Sequence, residues 1–201
     1  QGEVFAVGER GTLVHKPPGR GPFEWLPSPT RWALRAISGP SSNTLYAVGD
    51  GGVVLHFDGH TGSVERNAAP EMPDLYGVYS PAPGELIAVG NAANIVELRR
   101  DQWSSRRLGA AALRAVVGFR TNGATDTLFV VGDHGTLLRQ ESGRWQELPS
   151  NCDEDLWALW GADRENAFGA GNRRTVLQFE GKKSHETVVG HVLPDGGAKP
   201  A

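Results

Sequence analysis

Short apolar runs alternate with polar pairs centred on glycine, and the alternation recurs along the whole chain. An apolar run ends in glycine, two polar residues follow, usually with a second glycine, and another apolar run begins. The copies are Phe5-Ala6-Val7-Gly8-Glu9-Arg10-Gly11, Tyr46-Ala47-Val48-Gly49-Asp50-Gly51-Gly52, Ile87-Ala88-Val89-Gly90-Asn91-Ala92-Ala93, Phe129-Val130-Val131-Gly132-Asp133-His134-Gly135 and Phe168-Gly169-Ala170-Gly171-Asn172-Arg173-Arg174. Their first glycines stand at 8, 49, 90, 132 and 171, giving spacings of 41, 41, 42 and 39. A steady period near 40 residues marks a repeat architecture, in which each unit is too small to bury its own apolar face and stacks on its neighbours.

Each unit reads as four short strands, the motif being the hairpin between the second and third. Asp50-Gly51 and Asp133-His134 occupy the expected two-residue turn, where Asp, Asn and Gly tolerate positive φ. Glu9-Arg10 and Asn172-Arg173 suit such a turn less well, and Ala93 and Arg174 replace the second glycine, which predicts distortion of the third and fifth hairpins. Upstream lies a first strand beginning at Leu34, Leu75, Leu113 or Leu156, with a small residue in third place (Ala36, Gly77, Ala115, Ala158), as expected where strands converge on a crowded axis. In the fourth unit a polar insertion, Arg120 to Thr127, separates the first and second strands. Downstream, Trp25, Trp103 and Trp145 mark the fourth strand, with weaker equivalents at Val64 and at Ser184 to Val189. No segment reads as an amphipathic helix. Regular short strands with Gly/Pro-rich turns indicate an all-β protein.

Four antiparallel strands per unit is the blade of a β-propeller, which protects its edges by arranging blades around an axis. A β-solenoid, with shorter coils and parallel pairing, is disfavoured by the tight hairpins. The expectation is one domain over residues 1–190 with about five blades (3–30, 31–72, 73–110, 111–153 and 154–190), followed by a tail or linker at 191–201. Residues 3–30 supply only the last three strands of a blade, and Leu193-Pro194-Asp195 is a poor candidate for the missing one. The alternatives are therefore a five-bladed ring with a weak closing blade, or part of a larger propeller.

The net charge of −3 speaks against a general nucleic-acid or anionic-membrane role. No apolar run has the length of a transmembrane helix. A single cysteine, Cys152, excludes an internal disulfide framework and a Cys-rich metal site.

Tyr46 to Gly59, reading Tyr-Ala-Val-Gly-x-x-Gly-x-x-Leu-His-Phe-Asp-Gly, together with the Leu-x-Ala-Val-x-Gly first strand, resembles bacterial propellers with YCF48-like or BNR-like repeats. Such sequences are abundant among secreted and envelope proteins of myxobacteria and similar GC-rich organisms. The resemblance spans residues 3 to 190 and implies a fold rather than an activity, since these repeats occur in assembly factors, surface proteins and hydrolases. It implies an extracellular, periplasmic or envelope location.

Candidate chemistry is sparse. Ser142-Gly143-Arg144-Trp145 resembles a decayed Asp-box turn, a structural element of sialidase-type repeats. The hairpin acids Glu9, Asp50 and Asp133 are read as serving their turns, and the separation of blades argues against a calcium site. His15, His56, Glu97, Arg139 and Gln178, in register on the third strand, are read as surface residues. No phosphate loop, nucleophile elbow or catalytic Cys/His pair is present, and no cofactor or metal is expected. The second position of the innermost strand, Arg35, Tyr76, Arg114 and Trp157, is larger and more polar than packing requires. With Trp32, His134 and Arg173 from adjoining loops, and Asn91 beside them, these residues are expected to form an aromatic and arginine-rich funnel for a protein or glycan partner. The expected function is a non-enzymatic binding or scaffold module, the alternative being a glycan-active hydrolase or lyase or its accessory domain.

Overall fold

The computed structural model describes residues 2–66, 72–121, 124–180 and 183–188. Among these, five antiparallel sheets follow one another along the chain. The first has three strands: β1 (Val4–Val7), β2 (Leu13–Lys16) and β3 (Glu24–Trp25). The second comprises β4 (Leu34–Ser41), β5 (Thr44–Gly49), β6 (Val54–Phe57) and β7 (Gly62–Arg66). The third comprises β8 (Leu75–Ala82), β9 (Glu85–Gly90), β10 (Asn94–Arg99) and β11 (Gln102–Arg107). The fourth holds β12 (Leu113–Thr121), β13 (Ala124–Gly132), β14 (Leu137–Glu141) and β15 (Arg144–Glu147), and the fifth β16 (Leu156–Asp163), β17 (Asn166–Gly171), β18 (Thr175–Glu180) and β19 (Lys183–Val188). The four-stranded sheets pair in simple chain order. The polar insertion of the fourth unit lengthens the β12–β13 hairpin. The tail at 191–201, including Leu193, and the end of the last strand at Val189 lie outside the described residues.

The central strands of the second, third and fourth blades are apolar on both faces because each of these blades is sandwiched between two others. Tyr46 and Val48 of β5 pack with Leu86, Ala88, Val96 and Leu98 of the third blade. Ile87, Val89 and Ile95 in turn meet Leu128, Val130 and Leu138 of the fourth. Phe129, Val131 and Leu137 then meet Ala167, Leu177 and Phe179 of the fifth. Alternate residues of one strand thus belong to different cores, which is why the strands read as continuous apolar runs rather than half-polar ones. The innermost strands of the four complete blades pack in the order β4, β8, β12, β16, and β1, the second strand of the repeat, contacts β4. Crowding there is real: a Cβ on Gly77 would lie 3.1 Å from Ala115 Cα.

The third-strand polar residues are not surface residues, as the sequence led us to expect. Glu97 and Arg139 are buried and the two histidines partly so. Each stands opposite the first apolar residue of the hairpin motif: Phe5↔His15, Tyr46↔His56, Ile87↔Glu97, Phe129↔Arg139 and Phe168↔Gln178. His15 and His56 stack on their ring partners with centroids 4.5 and 4.9 Å apart, and the Arg139 guanidinium lies 5.6 Å from the Phe129 centroid. Planar or cationic groups covering an aromatic face can enter a blade interface that an isolated charge could not. Trp25 also departs from expectation. Trp103 pairs with Leu98 and Trp145 with the equivalent Gln140, whereas Trp25 pairs with Val14, two positions away in register.

The hairpin turns sit one residue later than expected. In the first, the Thr12 N–H donates to the Glu9 carbonyl at 3.0 Å, and the two residues between, Arg10 and Gly11, have positive φ. The same backbone recurs at Gly51–Gly52, Ala92–Ala93, His134–Gly135 and Arg173–Arg174. This is the mirror-image turn whose twist matches a hairpin. Ala92, Ala93, Arg173 and Arg174 adopt it without glycine, so the third and fifth hairpins keep their geometry at a cost of about 1–2 kcal/mol per left-handed residue. Gly135 has two reasons to be glycine: φ is +65°, and a Cβ would overlap the Cys152 carbonyl oxygen at the entry to the fifth blade. Gly143 has φ +78° with open space around its Cβ direction.

The two glycines therefore separate strain from contact. Gly143→Ala should cost only about 1 kcal/mol. Gly135→Ala should cost more than about 2 kcal/mol, because the carbonyl must also move. Urea unfolding midpoints of the two variants decide this, and equal losses would refute the packing role of Gly135.

Candidate functional site

The candidate site is built on a repeated irregularity of the innermost strand. In all four complete blades the register slips between its first and third residues: Leu34/Ala36, Leu75/Gly77, Leu113/Ala115 and Leu156/Ala158. The extra residue is Arg35, Tyr76, Arg114 or Trp157. A bulge bends the strand and re-aims its extra side chain. In three blades the side chain (Arg35, Arg114 or Trp157) is directed to the rim where the hairpin turns emerge, toward the residue that follows the motif's first glycine, while Tyr76 lies against Arg114 of the next blade. Arg35 donates from Nε and Nη2 to the two carboxylate oxygens of Asp50, at 2.7 and 2.8 Å. Arg114 binds Asp133 in the same forked manner at 2.6 and 2.8 Å. Trp157 Nε1 donates to Asn172 Oδ1 at 2.9 Å. The hairpin acids Asp50 and Asp133 thus hold arginines, rather than serving only their turns. Asn91 is the residue that bonds its own turn, its Oδ1 accepting from the Ala92 N–H.

These groups link neighbouring blades. Arg35 Nη1 reaches Glu9 of the first blade at 2.9 Å. The Arg114 guanidinium lies between two rings, 4.7 Å from the Tyr76 centroid and 4.5 Å from that of Trp157, so one cation ties the third, fourth and fifth blades together. Hydrogen bonding to Asp133 raises the pKa of Arg114 against the opposing effect of burial, and Asp50 does the same for Arg35. Burial, followed by the nearby Asp74 carboxylate, pushes the Tyr76 phenol upward, while Arg114 opposes the shift. Aspartates at the blade entrances continue the linkage: Asp74 Oδ1 accepts from the Gly51 N–H at 2.7 Å, and Asp155 Oδ1 from the His134 N–H at 2.9 Å.

Of the expected funnel, Tyr76, Arg114 and Trp157 come together as a stack, while Arg35 is engaged with Asp50 and Glu9. His134 and Arg173 occupy turn tips on the same rim. The His134 side chain is exposed, and Arg173 approaches Glu154 at 3.4 Å while remaining largely in solvent. Trp32 lines a separate groove of about 320 Å³ between the first and second blades, with Glu9, Arg10, Arg31, Ala33 and Asp50. Arg10 and Arg31 did not stand out in the sequence. Arg10 is legible only as the turn tip equivalent to His134 and Arg173. Neither takes part in an ion pair among the described residues. Ser142 and Gly143 form the turn between β14 and β15. Among the described residues no group of three or more His, Cys, Asp or Glu is arranged to hold a metal ion.

Strands stacked in five successive antiparallel sheets, innermost strand to innermost strand, decide the fold. It is a β-propeller fold. The chain is similar to the solved YCF48 bound to D1 peptide, with 14% identity and a TM-score of 0.67 over 92% of this chain and 64% of that one. It is also similar to the WD40 β-propeller domain of Doa1 (9%, 0.70, 90% and 62%) and to U3-55K (8%, 0.72, 90% and 58%). The chain thus spans about three-fifths of the length of these propellers. No protein-family model and no curated protein matches it.

The Arg114–Asp133 fork is four-fifths buried and Arg35–Asp50 is more open, which orders their strengths. Double-mutant cycles with Arg→Ala and Asp→Ala should give a coupling of about 2 kcal/mol for Arg114–Asp133. For Arg35–Asp50 the coupling should stay below about 1 kcal/mol and fall with added salt. Equal couplings, read from urea unfolding, would contradict this order.

Proposed function

We propose that this chain is a non-enzymatic binding module that takes a protein segment on the rim where its hairpin turns emerge. One observation carries the reading. The rim arginines Arg35 and Arg114 are saturated by carboxylates, whereas Arg10, Arg31 and the half-exposed Trp32 surround an open groove of about 320 Å³. An indole face flanked by two guanidinium groups suits an extended segment offering an apolar side chain next to a carboxylate. Glu9 and Asp50, which also line the groove, disfavour a uniformly acidic ligand. The binding of a D1 peptide by the solved YCF48 supports a peptide as ligand class on this fold. An envelope or extracellular location rests on the repeat's resemblance alone and belongs to the same proposal, and a glycan partner is the competing reading.

Screening the protein against a random peptide display library and a glycan array tests it. Peptides with an acidic residue next to an apolar one should be enriched. Trp32→Ala or Arg31→Ala should weaken the best of them about tenfold or more, as removal of an aromatic or arginine anchor does. The thermal unfolding midpoint should not change. Enrichment of glycans alone, or peptide binding indifferent to both substitutions, would overturn the reading.

A further inference from the structure

The outer strands of the blades differ in how well their free edges are guarded. Every second residue of an outermost strand turns its N–H and C=O away from its one neighbour. Such an edge accepts a further strand unless brevity, a bulge, proline or charge prevents it. β3 has two residues and β15 four. β7 is five residues long, and its pairing with β6 is bulged between Val54 and Leu55. β11 has six residues, all exposed, and pairs with β10 in unbroken register from Asn94↔Arg107 to Arg99↔Gln102. Its sequence, Gln-Trp-Ser-Ser-Arg-Arg, holds neither glycine nor proline. Of these four outer strands, β11 presents the longest unbroken edge.

Its one guard is charge, and that charge is mostly of one sign. The β10–β11 hairpin carries Arg99, Arg100, Arg106 and Arg107 against two acids, Glu97 and Asp101, in a chain of net charge −3. The corresponding hairpin of the second blade, residues 54–66, has Asp58 and Glu65 against Arg66. That of the fourth, residues 137–147, balances Arg139 and Arg144 with Glu141 and Glu147. In the third blade Glu97 is withdrawn from any partner: its side chain is 5% exposed and takes Arg99 Nε at 3.2 Å and Arg106 Nη2 at 3.0 Å. A buried carboxylate thus draws two guanidinium groups together and fixes them, while their side chains stay 54% and 43% exposed with donors left over. Arg106 stands opposite Ile95, on the side of the sheet toward the fourth blade. Trp103 stands opposite Leu98, on the side toward the second, and Arg107 shares that side. Neither Arg100 nor Arg107 takes part in an ion pair among the described residues. A guard of one sign is also a selector, repelling a basic edge and attracting an acidic one.

We propose that the edge of β11 is a second binding surface, separate from the Trp32 groove, and that it takes an extended acidic segment of a partner protein as a fifth strand of the third sheet. Main-chain hydrogen bonds to the free edge supply affinity. Carboxylates at alternate positions meet Arg106 on one side of the sheet or Arg107 on the other. A second copy of this chain paired through β11 is the competing occupant, and it would bring the arginines of two such hairpins together at a cost in charge repulsion.

The peptide backbone separates strand addition from simple charge attraction. The probes are a labelled, capped hexapeptide with Glu at alternate positions and Val between them, and the same peptide N-methylated at every residue, which keeps the charge and removes the main-chain donors. In fluorescence anisotropy the first should bind, more weakly as salt is added, and the second at least about tenfold less tightly. Hydrogen exchange of residues 102–107 should slow several-fold with the first peptide and not with the second. Arg107→Glu should weaken the first peptide about tenfold or more without moving the thermal unfolding midpoint, because Arg107 holds no ion pair in the described structure. Trp32→Ala should leave this binding unchanged, which keeps the result independent of the rim groove. No binding, equal binding of the two peptides, or slowed exchange elsewhere than β11 would overturn the proposal. Slowed exchange of β11 without peptide, together with a doubled mass in light scattering, would assign the edge to a second copy and overturn the stated occupant.

Discussion

The packing of one sheet on the next is the interaction on which everything else in this molecule depends. A four-stranded sheet of this size has no interior, and its central strands are apolar on both sides. Phe129 and Val131 belong to one core while Val130 between them belongs to another. Stability is then a property of interfaces, as in other repeat proteins, and a blade with one neighbour is a blade with half its core. Polar residues enter these interfaces with a partner, His56 by stacking on Tyr46 and Glu97 by pairing with Arg99 and Arg106.

The close approach of the innermost strands shapes the rim. Where Gly77 comes within contact of Ala115, little space is left for a side chain pointing inward along the axis. The bulge just before this position turns Arg35, Arg114 and Trp157 toward the hairpin turns instead. Once there, the arginines meet acids 15 or 19 residues further along the chain and are neutralised in forked pairs. The rim is therefore mostly a structural clasp between blades. Chemistry available to a partner is displaced outward, to turn tips such as Arg10 and His134 and to the groove beside Trp32.

Much of the fold was legible because the repeat is written in residue types whose physical role does not depend on context. Glycine after an apolar run, a leading leucine and a small third residue each announce their place. The pairing partners were less legible. Asp50 and Asp133 looked like turn formers, since Asp next to Gly is a turn signal by itself, and only the bulge opposite reveals that their carboxylates face arginines. The turn itself was placed one residue early for the same reason: the acid was assigned the positive φ that Gly51 and His134 adopt. His15, Glu97 and Arg139 were assigned to the surface by alternation, a rule that assumes one polar face and fails for a sheet packed on both sides.

The amino-acid sequence by itself determined the period, the four-strand unit, the all-β class and the side of each blade that bears its turns. Each of these follows from local steric and solvation preferences repeated five times. Tertiary structure alone decided which side chains meet: that Arg114 sits between Tyr76 and Trp157, that Asp133 belongs to Arg114, and that Arg10 and Arg31 stand beside Trp32. Arg114 meets Tyr76 and Trp157 across blades at a convergent rim, and Asp133 meets it within one blade through the bulge of the innermost strand. Distances across blades are set by the angle and separation at which whole sheets pack, and no local pattern records that.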